Sequence, residues 1–220
     1  MWRVLWGRVR SDAALVSLAN DGLPRHDILY RRVQLALTGD ADRAPLRISA
    51  PPQAFLQAAG EAAGAALIAE AWDAEGLCHA GTFPGFRWAE WNGRYRDDVR
   101  GFIKGDPGLV PALMSRVYGS ADLFPDGPQD MYRPYQSVNF VTAHDGFCLY
   151  DLVSYNDRHN EANGHGGTDG SSDNHSWNCG WEGDEGAPRD VLDLRMRQMK
   201  NLAALMMLSN GVPMIVAGDE

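Results

Sequence analysis

The stretch AALIAEAWD, residues 65–73, decides the predicted fold of this 220-residue chain. Its five consecutive apolar residues (65–69) predict a short strand buried on both faces, as in a parallel sheet, with Glu70 at the carboxyl end. Two further apolar runs predict strands of the same kind, SVNFVTA (137–143) and VPMIVA (212–217). The first precedes Asp145 and the second precedes Glu220, so each predicted strand has a carboxylate at its carboxyl end.

Helical patterns separate these predicted strands. Apolar periodicity predicts helices over residues 53–63, 107–117 and 191–208. Apolar strands that alternate with helices indicate an α/β fold with a parallel sheet, and in (β/α)₈ barrels the functional groups lie at strand carboxyl ends. Because a whole barrel takes about 250 residues, we predict an incomplete (β/α)₈ TIM barrel, roughly its fifth to eighth strands.

Charge divides the chain into two parts. Residues 1–50 hold eight Arg and five Asp, a net charge of +3, so the remainder carries −12 of the total of −9. We therefore predict that residues 1–52 form an atypical, weakly ordered extension and that residues 53–220 form the C-terminal half of the barrel. The acidic total argues against a nucleic-acid partner. The most apolar stretch, 202–217, is interrupted by polar residues, Gly and Pro, and is too short to span a membrane.

Glu70 and Asp145 are the candidate catalytic residues, since glycoside hydrolysis needs two carboxyl groups. Burial beside the apolar run would suit Glu70 to a general-acid role, although pairing with an Arg is the structural alternative. His144 and Asp145 could also cap their strand through mutual hydrogen bonds, and no third residue at helical spacing supports a metal site.

Aromatic and polar residues fill the remaining candidate surface. Tryptophans with polar neighbours, Trp72, Trp91 and Trp181 among them, are candidates to stack on sugars, with core packing as the alternative for each. Residues 155–183 lack periodicity and form either a disordered segment or a functional lid. Three widely spaced cysteines without a ligand pattern indicate reduced thiols.

Five blocks of this sequence closely resemble one enzyme family, and they occur in the family's order. The blocks are LIAEAWD (67–73), RWAEWNGRYRDDVRGFIKGDPG (87–108), SVNFVTAHDGFCLYDLVSYNDRHNEANG (137–164), DNHSWNCGWEG (173–183) and GVPMIVAGDE (211–220). They resemble the isoamylase-type glycogen and starch debranching enzymes of the α-amylase clan. The likeness extends over about residues 53–220.

The resemblance implies hydrolysis of α-1,6 branch linkages in glycogen or amylopectin by a retaining mechanism, without a cofactor or metal. It assigns Glu70 as the general acid/base, Asp145 as the carboxylate that stabilises the transition state, and His144 as a substrate-binding residue. Among the tryptophans named above, we predict that Trp72 and Trp91 bind substrate. The implied partners are a branched α-glucan and other debranching subunits in an oligomer. A plant or algal source would imply a plastid location, and any other source the cytoplasm.

One family motif is missing. The nucleophile of these enzymes is an Asp in a Gly-Phe-Arg-Phe-Asp-like block before the general acid, and nothing in residues 1–66 resembles that block. We therefore expect a fragment that is inactive by itself. The alternative is a non-catalytic glucan-binding or regulatory partner of a debranching enzyme.

Overall fold

The computed structural model describes residues 3–6, 17–18, 66–72, 80–81, 88–125 and 134–219. The chain divides into two compact units, residues 1–91 and 92–220. The predicted helix 53–63 and most of the predicted extension 1–52 lie outside the described residues. The weak order predicted for that extension therefore stays a prediction.

The first unit contains a small mixed sheet. Its strands are β1 (Arg3–Trp6), β2 (Ser17–Leu18), β3 (Leu67–Glu70) and β4 (Trp88–Trp91). β3 confirms the strand predicted at the start of the sequence analysis, and it pairs in parallel with β4, with Ala69 opposite Glu90. β1 pairs antiparallel with both β2 and β3. A (β/α)₈ barrel is built from parallel strands, so the parallel β3–β4 pair supports the α/β class, whereas the predicted incomplete barrel remains a proposal.

The second unit holds a β-α-β arrangement. Its elements are α1 (Gly93–Lys104), α2 (Val110–Val117), β5 (Ser137–Asn139), α3 (Leu149–Leu152), α4 (Arg189–Leu208) and β6 (Val212–Pro213), with single 3₁₀ turns at Pro134–Gln136 and Glu161–Asn163. β5 and β6 pair in parallel, and Met214 N extends the pairing by donating to Asn139 O at 2.8 Å. The α/β class is therefore confirmed.

The observed elements are shorter than predicted at several ends. The strand predicted over 137–143 ends at Asn139. Two residues further on, Val141 O accepts from the Arg100 side chain and not from a neighbouring strand. The strand predicted over 212–217 covers only Val212–Pro213. The sequence analysis did not predict β4 or α1. Strand β4 is only four residues long, and α1 has many charges that obscure its buried Tyr95 and Val99.

An apolar core holds the second unit together. It joins α1 to α4 and to the segment after β5, and its buried members are Tyr95, Val99, Leu113, Val141, Phe147, Leu152, Val153, Cys179, Leu202 and Met206. Cys179 in this core and the exposed Cys148 are both free thiols. No helix within the described ranges has the length and apolar character that crossing a membrane requires.

A buried polar network begins at Asn92, the N-cap of α1. The Asn92 Oδ1 atom accepts from Tyr95 N at 2.9 Å, and Nδ2 donates to the hydroxyls of Ser120 and Ser137 at 2.8 Å each. Ser137 in turn donates to Asn139 Oδ1 at 2.7 Å. Because buried polar groups are costly without partners, this network fixes the start of α1 against strand β5.

The network also explains a glycine in the turn after α4. Asn139 Nδ2 donates to Asn210 O at 3.1 Å. A Cβ atom on Gly211 would lie 2.4 Å from that Nδ2 atom, and the residue has φ +141°. Only glycine permits both this close approach and this backbone angle.

Candidate active site

Glu70 is the last residue of β3 and is partly buried. The two tryptophans predicted to contact substrate lie near each other in the same unit: the Trp72 and Trp91 rings have centroids 6.2 Å apart and planes inclined by 50°. Trp91 is buried in β4, whereas Trp72 is half-buried. The structure therefore brings two of the predicted aromatic contacts together beside the strand that ends in Glu70.

Glu90 in β4 is a carboxyl group that the sequence analysis did not single out. It is 3% exposed, and its Oε2 atom accepts from Gly81 N at 2.8 Å. Burial raises the pKa of Glu90 to about 7, against the smaller lowering effect of the Gly81 hydrogen bond. The sequence signal that could have indicated a buried Glu90 was its position between aromatic residues, in Trp88-Ala89-Glu90-Trp91.

Strand register separates Glu90 from Glu70. Glu90 lies opposite Ala69 in the parallel pair, and residues in register point to the same face while successive residues alternate. Glu70 follows Ala69, so its side chain and that of Glu90 leave opposite faces of the β3–β4 pair. We therefore do not assign Glu90 as the nucleophile that a retaining site needs close to its general acid.

Asp145 stands in a tightly held turn after β5, in the second unit. Val141 O and Asn174 O accept from the buried Arg100 guanidinium, from Nε at 2.7 Å and Nη1 at 2.9 Å respectively. Asp145 O accepts from Ser171 N at 3.2 Å. These contacts join the end of the strand to the loop at 171–174, and Asp145 itself is partly buried while the neighbouring His144 is exposed.

Asp219 supports the same segment from the end of the chain. Its Oδ2 atom accepts from Thr142 Oγ1 at 2.5 Å, and its Oδ1 atom accepts from Leu149 N at 3.0 Å. The second bond satisfies the first amide of α3 at its N-terminus, where carboxylates are favourable. The sequence analysis had emphasised Glu220 at this place, which lies outside the described residues, and it missed the role of Asp219.

Two guanidinium groups interact electrostatically with the Asp145 carboxylate. Burial lowers the pKa of Arg96, but its hydrogen bond to Asp97 and the charges of Asp97, Asp145 and Asp173 raise it to a net value above normal. Burial, and then the charge of Arg96, lower the pKa of Arg100 to about 10. Both side chains are cationic at neutral pH. Their spacing of four residues on α1 places them on one face of that helix. This spacing was the sequence signal that could have indicated a pair of arginines acting together.

Residues 155–183 have a defined path in the structure, held by side-chain hydrogen bonds. The Arg158 guanidinium donates to Gly170 O at 3.0 Å, and Asn160 Nδ2 donates to Asp169 Oδ1 at 2.9 Å. The fully buried Arg195 of α4 donates to carbonyls later in the segment, among them Gly183 O at 2.9 Å. A lid function for this segment stays a prediction.

Glu70 and Asp145 belong to different compact units, so the predicted meeting of the two carboxylates in one site stays a prediction. The catalytic and substrate-binding roles of Glu70, Asp145, His144, Trp72 and Trp91 likewise remain predictions. The described residues contain no group of three His, Cys, Asp or Glu side chains that could hold a metal ion.

Comparison with known proteins finds three informative relatives. Isoamylase 3, chloroplastic, from Oryza sativa subsp. japonica is 58% identical over 155 residues, which cover 70% of this chain and 19% of the relative. The glycogen operon protein GlgX homolog from Mycobacterium tuberculosis (strain ATCC 25618 / H37Rv) is 56% identical over 155 residues, 70% of this chain and 21% of the relative. The glycogen debranching enzyme from Pectobacterium carotovorum subsp. carotovorum (strain PC1) is 47% identical over 159 residues, 71% of this chain and 23% of the relative.

No family model matches the chain, and the chain spans about a fifth of the length of these relatives. The shared part nevertheless has high identity to both plant isoamylases and bacterial debranching enzymes. The resemblance predicted from the sequence blocks is therefore confirmed: over about seven tenths of its length, this chain is homologous to part of the isoamylase-type debranching enzymes, which are glycoside hydrolases.

Proposed function

We propose that residues 53–220 form the C-terminal half of a (β/α)₈ barrel whose activity, in the complete enzyme, is hydrolysis of α-1,6 branch linkages in glycogen or amylopectin. The observation that carries the proposal is the identity of 47–58% to isoamylases and glycogen debranching enzymes over 70% of the chain. The parallel pairs β3–β4 and β5–β6, with helices between β5 and β6, support the proposed barrel half.

In this proposal Glu70 protonates the leaving glycosidic oxygen, and Asp145 stabilises the positive charge that develops at the sugar ring. His144, exposed beside Asp145, donates a hydrogen bond to the bound sugar, and Trp72 with Trp91 contact its apolar faces. The contacts of Arg100 and Asp219 support a preorganised Asp145 turn, and preorganised charge is an effective means of stabilising a transition state.

We propose further that this chain does not hydrolyse glucan by itself. A retaining enzyme needs a second carboxylate about 5–5.5 Å from its acid, and residues 1–66 lack the motif that carries it in this family. Glu90 leaves the opposite strand face from Glu70, which argues against a replacement. The same absence favours the second candidate function, a non-catalytic glucan-binding or regulatory partner of a debranching enzyme.

Hydrolysis is tested by release of reducing ends from amylopectin and glycogen. We expect none from the purified chain, and debranching from a fusion of the chain to an upstream half-barrel of a related isoamylase that contains the nucleophile. A Glu70→Gln substitution in the fusion should abolish activity because the amide cannot donate the proton. The matched control is Asp193→Asn, whose side chain is 60% exposed on α4, and it should leave the activity of the fusion unchanged.

Hydrolysis by the chain alone would contradict the inactive-fragment proposal. A fusion that folds and binds glucan but never debranches would favour the non-catalytic function. The plant relative is named chloroplastic, which supports a plastid location if the source is a plant or alga. For any other source we propose a cytoplasmic location. Co-purification with other debranching subunits would test the proposed oligomer.

A further inference from the structure

Two of the exposed aromatic side chains of the second unit lie on backbone that is tightly held. Trp181 is 40% exposed and Tyr150 is 37% exposed. Neither residue belongs to the proposed catalytic set. Exposed aromatic rings with fixed orientation are efficient binding groups, because they offer large apolar faces and lose little conformational entropy when a ligand binds.

Trp181 is fixed by four contacts. Its indole Nε1 donates to Glu185 O at 3.0 Å, and its backbone N donates to Asn178 O at 3.3 Å. The backbone of Gly186 lies against the ring, since a Cβ atom there would be 3.5 Å from Trp181 Cζ2. The Trp181 carbonyl accepts a hydrogen bond from the Arg195 guanidinium. The indole orientation is therefore set before any ligand arrives.

Tyr150 connects to the same anchor through Asp184. The Tyr150 hydroxyl donates to Asp184 Oδ1 at 2.7 Å, and this hydrogen bond raises the pKa of Tyr150 so that the hydroxyl keeps its proton at neutral pH. Asp184 Oδ1 also lies 2.8 Å from Arg195 Nη1. One buried guanidinium thus holds both exposed aromatic residues in a single rigid framework.

The polar groups around the two rings are acceptors for hydroxyl groups. The Asp184 side chain is 60% exposed, although its Oδ1 atom already accepts from Tyr150 and lies beside Arg195. Glu182 and Glu185 are exposed residues of the same loop, and the Glu182 carboxylate accepts from Asn156 N and from Asn178 Nδ2. Aromatic rings beside the exposed Asp184 carboxylate suit a neutral polyhydroxylated ligand, whose C–H faces stack on the rings while its hydroxyls donate to Asp184. The same negative charge disfavours phosphate-bearing ligands and nucleic acid.

The size of this surface also favours a small ligand over a protein. A stable protein interface buries about 800 Å² on each partner, whereas this surface centres on two rings. We propose that Tyr150 and Trp181, with Asp184, form a surface binding site for a linear α-1,4-linked glucose chain, built from residues outside the proposed catalytic set. The choice of an α-glucan rests on the proposed function, because the substrate proposed there, a branched glucan, consists of linear α-1,4-linked chains joined at branch points.

The experiment measures binding of maltoheptaose to the whole chain by calorimetry, together with the signal of the Trp181 indole N–H in a ¹⁵N-tryptophan-labelled sample. We expect the Trp181 signal to shift on titration and Trp181→Ala to weaken binding roughly tenfold. Tyr150→Phe, which keeps the ring but loses the bond to Asp184, should weaken it less. The matched control is Tyr118→Ala, which removes a tyrosine that is 62% exposed on the surface just after α2.

Absence of maltoheptaose binding, or equal binding by the parent chain and Trp181→Ala, would overturn the surface site. An unshifted Trp181 signal would overturn it even if Trp181→Ala unfolded the loop. Choline chloride is titrated in parallel, since an aromatic and acidic surface could instead bind a cation; a Trp181 shift with choline alone would also overturn the glucan assignment. The fusion assay distinguishes failure of the proposed function from failure of the surface site. Maltoheptaose binding at Trp181 without any debranching by the fusion would contradict only the hydrolase proposal.

Discussion

Glu90 at the end of β4 and Asp145 after β5 are both carboxylic acids that follow apolar or aromatic strand residues, yet their surroundings differ. Glu90 is almost completely buried and accepts one described hydrogen bond, from Gly81 N, and burial raises its pKa to about 7. Asp145 is partly exposed and interacts with the charges of Arg96 and Arg100. The comparison shows that the burial and the neighbouring charges of an acid after an apolar strand depend on which side chains of other elements pack around it.

The largest effect should come from breaking the support on the Asp145 side. An Arg100→Met substitution leaves Val141 O and Asn174 O without their donor and removes a cation that interacts with Asp145. Each buried acceptor left unsatisfied costs about 1–3 kcal/mol, so we expect the free energy of unfolding to fall by about 3 kcal/mol. Urea denaturation monitored by circular dichroism measures it.

The matched control for that change is Arg94→Met on the same helix. Arg94 has a side chain that is 65% exposed and a single long contact with Asp122 at 3.4 Å. Exposed ion pairs of this kind contribute about 0–1 kcal/mol. Equal losses of stability in the two variants would show that the buried hydrogen bonds of Arg100 do not support the segment around Asp145.

The next effect concerns Glu90 and depends on pH. Because the folded pKa of about 7 exceeds the ordinary value of 4.5, the folded protein holds a proton that the unfolded chain releases between these pH values. The free energy of unfolding should therefore fall as pH rises from about 4.5 to 7, by up to about 3 kcal/mol from this group alone. Glu90→Gln keeps an acceptor for Gly81 N and should remove that part of the pH dependence.

The measurement is urea denaturation at a series of pH values from 4.5 to 8 for the parent chain and Glu90→Gln. A Glu185→Gln variant is the control, because it makes the same chemical change at an exposed position. Other titrating groups contribute equally to all three proteins, so the difference between curves isolates Glu90. Parallel curves for the parent chain and Glu90→Gln would contradict a raised pKa.

The smallest effect is expected at Asp219, the second support of the segment after β5. Asp219→Asn keeps the size of the side chain but replaces one of the two acceptor oxygens that bond to Thr142 and Leu149. We expect a loss of about 1–2 kcal/mol in the free energy of unfolding, together with faster hydrogen exchange at the Leu149 amide.

Asp157→Asn, at an exposed position in the loop, serves as the control for Asp219→Asn and should leave the Leu149 amide unchanged. If Leu149 exchanges at the parent rate in Asp219→Asn, the carboxylate does not cap α3. The result would then place the support of the Asp145 turn on the Arg100 side alone.

Two predictions from local sequence pattern were confirmed with nearly the predicted bounds. The apolar run before Glu70 forms β3, and the amphipathic pattern over 191–208 forms α4, which begins two residues earlier at Arg189. Strand β4 and helix α1 escaped notice, because four residues are too few for a clear period and because charges such as Arg96 and Arg100 dominate the helix sequence. A sequence does not distinguish a buried arginine from a solvent-exposed one.

The site was predictable only in part. Glu70 and Asp145 could be named as candidates for two reasons. Each follows an apolar run, and each lies in a sequence block that resembles the family. Asp219 and Glu90 could not be given their roles, since these depend on contacts with Thr142, Leu149 and Gly81. Such contacts join residues up to 77 positions apart, and no local pattern reports them.

The amino-acid sequence by itself determined the α/β class, the strand that ends in Glu70 and the family of the homologous part. The physical reason is that strand burial and helix periodicity are local properties of consecutive residues. Only the tertiary structure decided which acid is buried, which is near arginines, and which exposed rings are held rigidly. Those properties depend on desolvation and on charges from distant elements, and both exist only once the chain has folded.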